Sequence, residues 1–392
     1  MKKKKKTPAQ LAANPPGNAE RRPVRRGSVD LPFLLLVLTI LCFGLIMLFS
    51  ATYAYCYYRT PDHDSYSLIK RQLFFAVLGV AAMAIISYVP YQFYKKAAWV
   101  IYGICLGLLG ITLFMPAINN AKRWIIIGGF QFQPSEAMKF AIVVIIAWLA
   151  CKYFPKMGTF KYGVLPFVAV ILPVVLIMML QPHTSGTILI LAISGLMLLV
   201  SGTKLRWFLI AGGAGVGLLA GYVLTSNKMQ YVLERIHGWI DPFWDVQDST
   251  FQTVQSLYAI GSGGFFGVGI GNSKQKHMFI SEPQNDFIFA VVCEELGFFG
   301  ALLVILLFAL LIWRGIVIGL KAHDRFGSLL AFGFTMQVGL QALLNIAVVT
   351  NTLPNTGISL PFFSYGGTSL MMLLGEMGII LNISRTADLR RT

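Results

Sequence analysis

Residues 281–297 read Ser-Glu-Pro-Gln-Asn-Asp-Phe-Ile-Phe-Ala-Val-Val-Cys-Glu-Glu-Leu-Gly. Glu282 and Asp286 stand just ahead of a long apolar run, and Glu294 and Glu295 stand inside it. Carboxylates are expensive in hydrocarbon, so acids at this depth face a polar cavity. Asp286 is also suited to cap the helix that the run would form. The two roles are compatible but pull its acidity in opposite directions. The helix dipole favours the carboxylate, whereas Glu282 and Glu294 raise its pKa by like-charge repulsion. An acid that is ionised yet still basic can take a proton from a hydroxyl. At about 100° per residue, Glu294 lies roughly 80° around the helix from Asp286, and Glu295 lies on the far face. Glu294 is therefore expected to share the cavity of Asp286, and Glu295 to pair with a neighbouring helix.

Phe132-Gln133-Pro134-Ser135-Glu136 opens another apolar run, with Lys139 three residues beyond Glu136. That spacing lets the two ions pair on one helix face, which either makes Lys139 tolerable in a membrane or furnishes a polar site. Just upstream, Lys122-Arg123-Trp124 reads either as cations snorkelling beside an interfacial tryptophan or as a site for an anionic head group. Arg235, Lys274 and Lys276 offer the same choice. Glycines at 261, 263, 264, 267, 269 and 271 resemble a phosphate cradle. They lack the Gly-Lys-Ser/Thr ending of a nucleotide loop, and tight turns with close backbone packing are the better reading. The histidines show no metal-ligand spacing. His183 reads as an interfacial polar group, and no pattern accounts for Glu376. Segments 353–357 and 361–367 read as a re-entrant, polar-lined stretch, which needs protein or a cavity around it.

The elements that position these residues are membrane-embedded. The chain has 392 residues, 56% hydrophobic and 12% charged, where a soluble domain carries ~25% charged residues. Stretches of about 20 apolar residues mark transmembrane helices. Ten are expected, at 31–53, 68–89, 95–116, 135–152, 163–181, 185–201, 205–225, 287–314, 326–349 and 361–384. The expected fold class is an all-α polytopic membrane protein with a large extracytoplasmic loop, 226–286, between helices 7 and 8. A connection of that length is usually functional, and it reads as a cap over a cavity, with short helices at 228–240 and 251–260. Residues 1–29 are rich in Lys, Pro and Arg and read as a disordered tail. With the N-terminus inside, ten spans return the C-terminus inside. The inner segments then hold 22 of the 32 Lys and Arg, and the outer segments hold nine. This obeys the positive-inside rule, and it makes the basic tail an orientation signal rather than a nucleic-acid arm. The first apolar run is too long for a cleavable signal and reads as an anchor. Only Cys56 among the five cysteines falls in an outer loop, so no disulfide staple is expected there.

Several separated motifs together resemble one family. They are Ala121-Lys122-Arg123-Trp124, Phe132 to Lys139, Arg235 with Trp239-Ile240-Asp241-Pro242, Phe251-Gln252 with Gln255-Ser256, and the glycine series. Asn285-Asp286-Phe287-Ile288-Phe289-Ala290, Glu294-Glu295-Leu296-Gly297 and Leu360 to Gly367 follow in order. Over residues 30–388 the chain resembles the SEDS family typified by FtsW and RodA. Gly271 to Lys276 is closer to the division and sporulation branch (FtsW, SpoVE) than to the elongation branch. The resemblance implies a peptidoglycan glycosyltransferase that polymerises lipid II in the bacterial cytoplasmic membrane, with both termini cytoplasmic. Asp286 would be the catalytic base. Lys122, Arg123, Glu136, Lys139, Arg235, Gln252, Gln255, Lys276, Glu282, Glu294 and Ser364 would bind substrate. No protein metal site is implied, although a divalent cation (Mg or Mn) suits a pyrophosphate. The implied partners are a class B penicillin-binding protein and other divisome proteins, with no nucleic acid. A lipid II flippase and a non-enzymatic divisome scaffold are the alternatives. A flippase exposes its site to both faces, whereas the polar residues here cluster on the outer side. The chain departs from the family pattern at three points. Gln181-Pro182-His183-Thr184-Ser185-Gly186-Thr187 replaces Gln-Pro-Asp-x-Gly-Thr, Gln284 replaces a histidine, and Phe251 replaces a tyrosine.

Overall fold

The protein is described by a computed structural model, which covers residues 27–59, 62–116, 122–127, 130–181, 183–210, 212–213, 236–246, 250–277, 279–280 and 282–388. It is an all-α polytopic membrane protein. The helices are α1 (Leu31–Arg59), α2 (Ser67–Ile86), α3 (Gln92–Ile111), α4 (Pro134–Tyr153), α5 (Leu165–Leu180), α6 (Thr184–Val200), α7 (Phe251–Gly263), α8 (Ile288–Leu320), α9 (Arg325–Val349) and α10 (Gly367–Ser384). Among the described residues, eight helical stretches are long and apolar enough to cross a membrane. α6 is apolar but shorter. The seventh expected span, 205–225, is helical at 205–210, and most of the remainder lies outside the described residues.

Packing follows the hydrophobic pattern of each helix. Beyond the Glu136 and Lys139 of its first turns, α4 is apolar all round, and it is buried along most of its length, from Ala137 to Ala150, as a central helix must be. α3, α6 and α9 pack against it. α10 lies along α2, and α8 packs on α1, α7 and α9. Outer helices keep one buried stripe: α1 buries Phe33, Val37, Ile40 and Leu41, then Gly44, Met47 and Leu48, while Leu35, Ile46 and Phe49 stay exposed for lipid. A two-stranded hairpin, β1 (Ile125–Ile127) and β2 (Phe130–Phe132), precedes α4, with Ile125 opposite Phe132.

Two segments depart from the expected helices. α8 is broken at Gly297, whose backbone is left-handed (φ 67°, ψ −164°). A Cβ there would sit 2.3 Å from the Gly267 nitrogen, so only glycine fits. The glycine series fills the break. The Val268 and Gly269 N–H groups donate to the Glu294 and Glu295 carbonyls (both 3.0 Å), and the Phe298 and Phe299 N–H groups donate to those of Gly264 (2.9 Å) and Phe265 (3.2 Å). Backbone freed by the break thus finds partners within the protein, as the membrane setting requires. The expected tenth span, 361–384, is helical only from Gly367, and 353–366 is irregular. Its backbone is tied to the stretch before α8: Tyr365 N–H donates to the Gln284 carbonyl (2.8 Å) and the Ser364 hydroxyl donates to the Asn285 carbonyl (2.6 Å).

Candidate active site at the head of α8

A cavity of about 1070 Å³ lies where these irregular segments meet. Its walls come from α2 (Lys70, Arg71), the stretch just before the strand hairpin (Arg123, Trp124), the first turns of α4 (Ser135, Glu136, Lys139), the α5–α6 turn (His183), the approach to α8 (Glu282, Asn285, Asp286) and segment 357–367. Asp286 is the central acid. Phe287, not Asp286, occupies the cap position of α8, and no side chain caps that helix. Asp286 instead borders the cavity.

The position of Asp286 is held by its backbone. Asn345 on α9 donates from Nδ2 both to the Asp286 carbonyl (2.7 Å) and to the Ile358 carbonyl (2.6 Å). This one amide fastens both irregular segments. Gly357 faces the carboxylate: its φ is +70°, and a Cβ would lie 3.1 Å from Asp286 Oδ2. Asp286 is only partly exposed. Desolvation raises its pKa from the ordinary 3.8 to about 6, Glu282 adds to the rise, and Arg123 opposes it. The result is an acid still ionised at neutral pH but more basic than a free carboxylate.

The far wall is a chain of paired ions and amides. Lys139 Nζ contacts Glu136 Oε2 (2.9 Å) and donates to Gln341 Oε1 (3.0 Å). Glu136 accepts from Ser369 (2.7 Å), and Gln341 donates to the Ser359 carbonyl (3.1 Å). Deeper still, Glu376 accepts from Gln337 Nε2 with both oxygens (3.0 and 2.8 Å). Glu376 thus has a partner that no spacing rule along one helix would reveal.

Among the expected site residues, Asp286, Glu282, Arg123, Glu136, Lys139 and Ser364 border the cavity. The Ser364 hydroxyl is committed to backbone, since it also accepts from Leu360 N–H (2.8 Å). Five residues do not border the cavity. Glu294, expected beside Asp286, instead accepts from the Ser273 hydroxyl and the Lys274 N–H (2.8 Å), pinning the turn 273–275. Asp286 lies ahead of the helix, so the angular count from it does not hold, and the loop covers the face that Glu294 presents. Lys276 is buried against Glu295 (2.8 Å) and Ser50 (3.1 Å). Glu295 also accepts from Ser50 on α1 (2.7 Å), which is the inter-helix pairing expected of it. Lys122 donates to the Leu113 carbonyl (3.0 Å). Gln252 and Gln255 ride on α7, which packs against α8. Arg235 lies outside the described residues.

Sequence reasoning overlooked Lys70, Arg71, Gln341 and Asn345. The amides at 341 and 345 sit inside an otherwise apolar span, which is the signal that marks intramembrane polar function. Among the described residues, no group of three or more His, Cys, Asp and Glu side chains could hold a metal ion. Of the three carboxylates that border the cavity, Glu136 is paired with Lys139, which leaves Asp286 and Glu282 as those nearest to hand for a cation.

Comparison with known proteins agrees with this architecture. The chain is 39% identical over 365 residues to stage V sporulation protein E of Bacillus subtilis, covering 92% of this chain and 98% of that protein. It is 38% identical over 360 residues to the probable peptidoglycan glycosyltransferase FtsW of Geobacter sulfurreducens, covering 91% and 95%. A structure described as showing structural coordination of polymerization and crosslinking by a peptidoglycan synthase complex superposes with a TM-score of 0.74 at 28% identity, covering 91% of this chain and 98% of that chain. The crystal structure of the rod shape determining protein RodA of Thermus thermophilus gives 0.66 at 26% identity, covering 92% and 98%. The family model for the cell cycle proteins FtsW, RodA and SpoVE matches residues 31–389. The chain belongs to that family.

Proposed function

We propose that this protein is a peptidoglycan glycosyltransferase that polymerises lipid II, with Asp286 as the general base. The observation that carries the assignment of the base is the Asp286 carboxylate, bordering a 1070 Å³ cavity and made more basic by burial and by Glu282. Asp286 takes the proton of the acceptor GlcNAc 4-hydroxyl. The freed oxygen forms a bond to C1 of the donor MurNAc, the bond from C1 to the pyrophosphate oxygen breaks, and the lipid pyrophosphate leaves with the bonding electrons. Arg123 borders the same cavity and is the cation best placed to offset the charge that develops on the leaving group. With Asp286 acting as the base, Glu282 would be the protein contact of a divalent cation, which when bound would neutralise pyrophosphate charge.

The cavity-bearing face is extracytoplasmic in this reading, both termini are cytoplasmic, and the membrane is the bacterial cytoplasmic membrane, as the distribution of Lys and Arg supports. The structural likeness to a chain from a peptidoglycan synthase complex supports a crosslinking partner, a class B penicillin-binding protein. The test is polymerisation of lipid II by the purified protein with its partner. Wild type is expected to make glycan strands, and Asp286→Asn to lose activity by a factor of about 100 or more, the scale of general-base catalysis. Full activity in that variant overturns the role of Asp286.

A further inference from the structure

The wall of the cavity facing α4 and α6 contains two side chains of a different kind from its neighbours. Glu136, Lys139, Ser369 and Gln341 are all engaged with one another. Ser135 and His183 are not. Ser135 is 3% exposed and His183 7% exposed. The Ser135 hydroxyl oxygen and His183 Nδ1 are fully buried, and neither has a hydrogen-bond partner among the described residues. Leaving such a group unpaired costs roughly 1–3 kcal/mol, and an orphan in a native site calls for an explanation. The imidazole is also deliberately seated. Gly186 lies under it, and a Cβ there would come within 2.7 Å of His183 Cε1 and 3.0 Å of Nδ1. Both residues border the cavity that holds Asp286.

The surrounding charges decide what these groups can bind. Burial, then Arg123, pushes the His183 pKa down, with Lys139 adding to the fall and Glu136 opposing it, to about 4. The ring is therefore neutral at physiological pH, with one nitrogen to donate and one to accept. A serine hydroxyl does both as well. Such a pair is a poor receptor for an anion, which Arg123 would attract instead. It suits an uncharged group that is donor and acceptor together.

We propose that Ser135 and His183 form a neutral subsite that recognises an acetamido group of the N-acetylated sugar. This rests on the lipid II reading and adds to it a determinant of sugar specificity. A site built to hydrogen-bond one group discriminates sharply against an analogue without it, because its own buried polar atoms are then stranded. His183 and Ser135 are positioning residues here: they hold the sugar and take no part in proton transfer.

The test measures binding of lipid II, and of a synthetic lipid II analogue that carries an uncharged methyl ether in place of each sugar acetamido group, to the full-length protein. The background is Asp286→Asn, so that turnover does not intervene. His183→Leu and Ser135→Ala are each expected to weaken lipid II binding about 10-fold or more while binding the analogue as the parent does. Their thermal unfolding midpoints without substrate should equal or exceed the parent value, since each removes an unpaired buried polar atom. A histidine kept only for packing would give the opposite pattern: a lower midpoint and unchanged discrimination. If the parent binds lipid II but both variants discriminate as it does, the subsite is overturned and the glycosyltransferase reading stands. If the parent does not bind lipid II at all, both fall.

Discussion

Asp286 works against its own fold. Its pKa rises from 3.8 to about 6 in the folded protein, so the folded state holds its proton more tightly than the unfolded chain does. That contribution favours folding fully below pH 3.8 and is lost as pH rises through about 6. Asp286→Asn is therefore expected to raise the thermal midpoint at pH 7 while abolishing polymerisation, and the gain should vanish in scans near pH 4. The same pKa sets the pH–rate profile: activity should fall about tenfold per unit below pH 6, as the base becomes protonated. Gly357→Ala tests the geometry from the other side. The new methyl would crowd Oδ2 and occupy a left-handed φ, and a displaced base is costly. Activity should drop about 10-fold or more, with lipid II binding retained.

At the scale of elements, the loop before α8 is held by buried ions. Lys276 and Glu295 are 3% and 0% exposed, and removing one partner strands the other at a cost of about 3–5 kcal/mol. Lys276→Met should sharply lower the thermal midpoint, and Lys276→Met with Glu295→Gln should recover most of it. Calorimetry or thermal-shift scans of both variants decide this. A fall in activity with no loss of stability would instead place Lys276 in substrate binding. The sequence carried Glu294 and Glu295 and the different faces they take on α8, because helical geometry is local. It did not carry the break at Gly297, nor the loop folded into it, because both depend on contacts between residues some 30 positions apart. For the same reason the sequence hides the loop contacts that take Glu294 from the cavity, and the cross-helix partners that give Gln341 and Asn345 their roles. The Glu136–Lys139 pair was legible because three residues on one helix face bring it together without help from the rest of the fold.

For the whole molecule, the bias of Lys and Arg gives a sidedness that labelling can check. In a background free of reactive cysteines, Lys274→Cys is expected to react with an impermeant maleimide on intact cells. Asp388→Cys should react only after permeabilisation; both sites are exposed. The reverse pattern would place the cavity on the cytoplasmic side and end the proposed chemistry. The break in α8 also bears on depth. From Phe298 to Leu320 the helix alone runs about 34 Å at 1.5 Å per residue, already enough for a hydrocarbon layer of ~30 Å. The shorter arm above Gly297, with Asp286 at its tip, then stands among the lipid head groups. Reconstitution into bilayers of graded acyl length should consequently reveal a thickness optimum, because a deeper slab would draw the ionisable groups of the upper arm toward oil and tilt the reacting carboxyl out of register with its amphiphilic substrate.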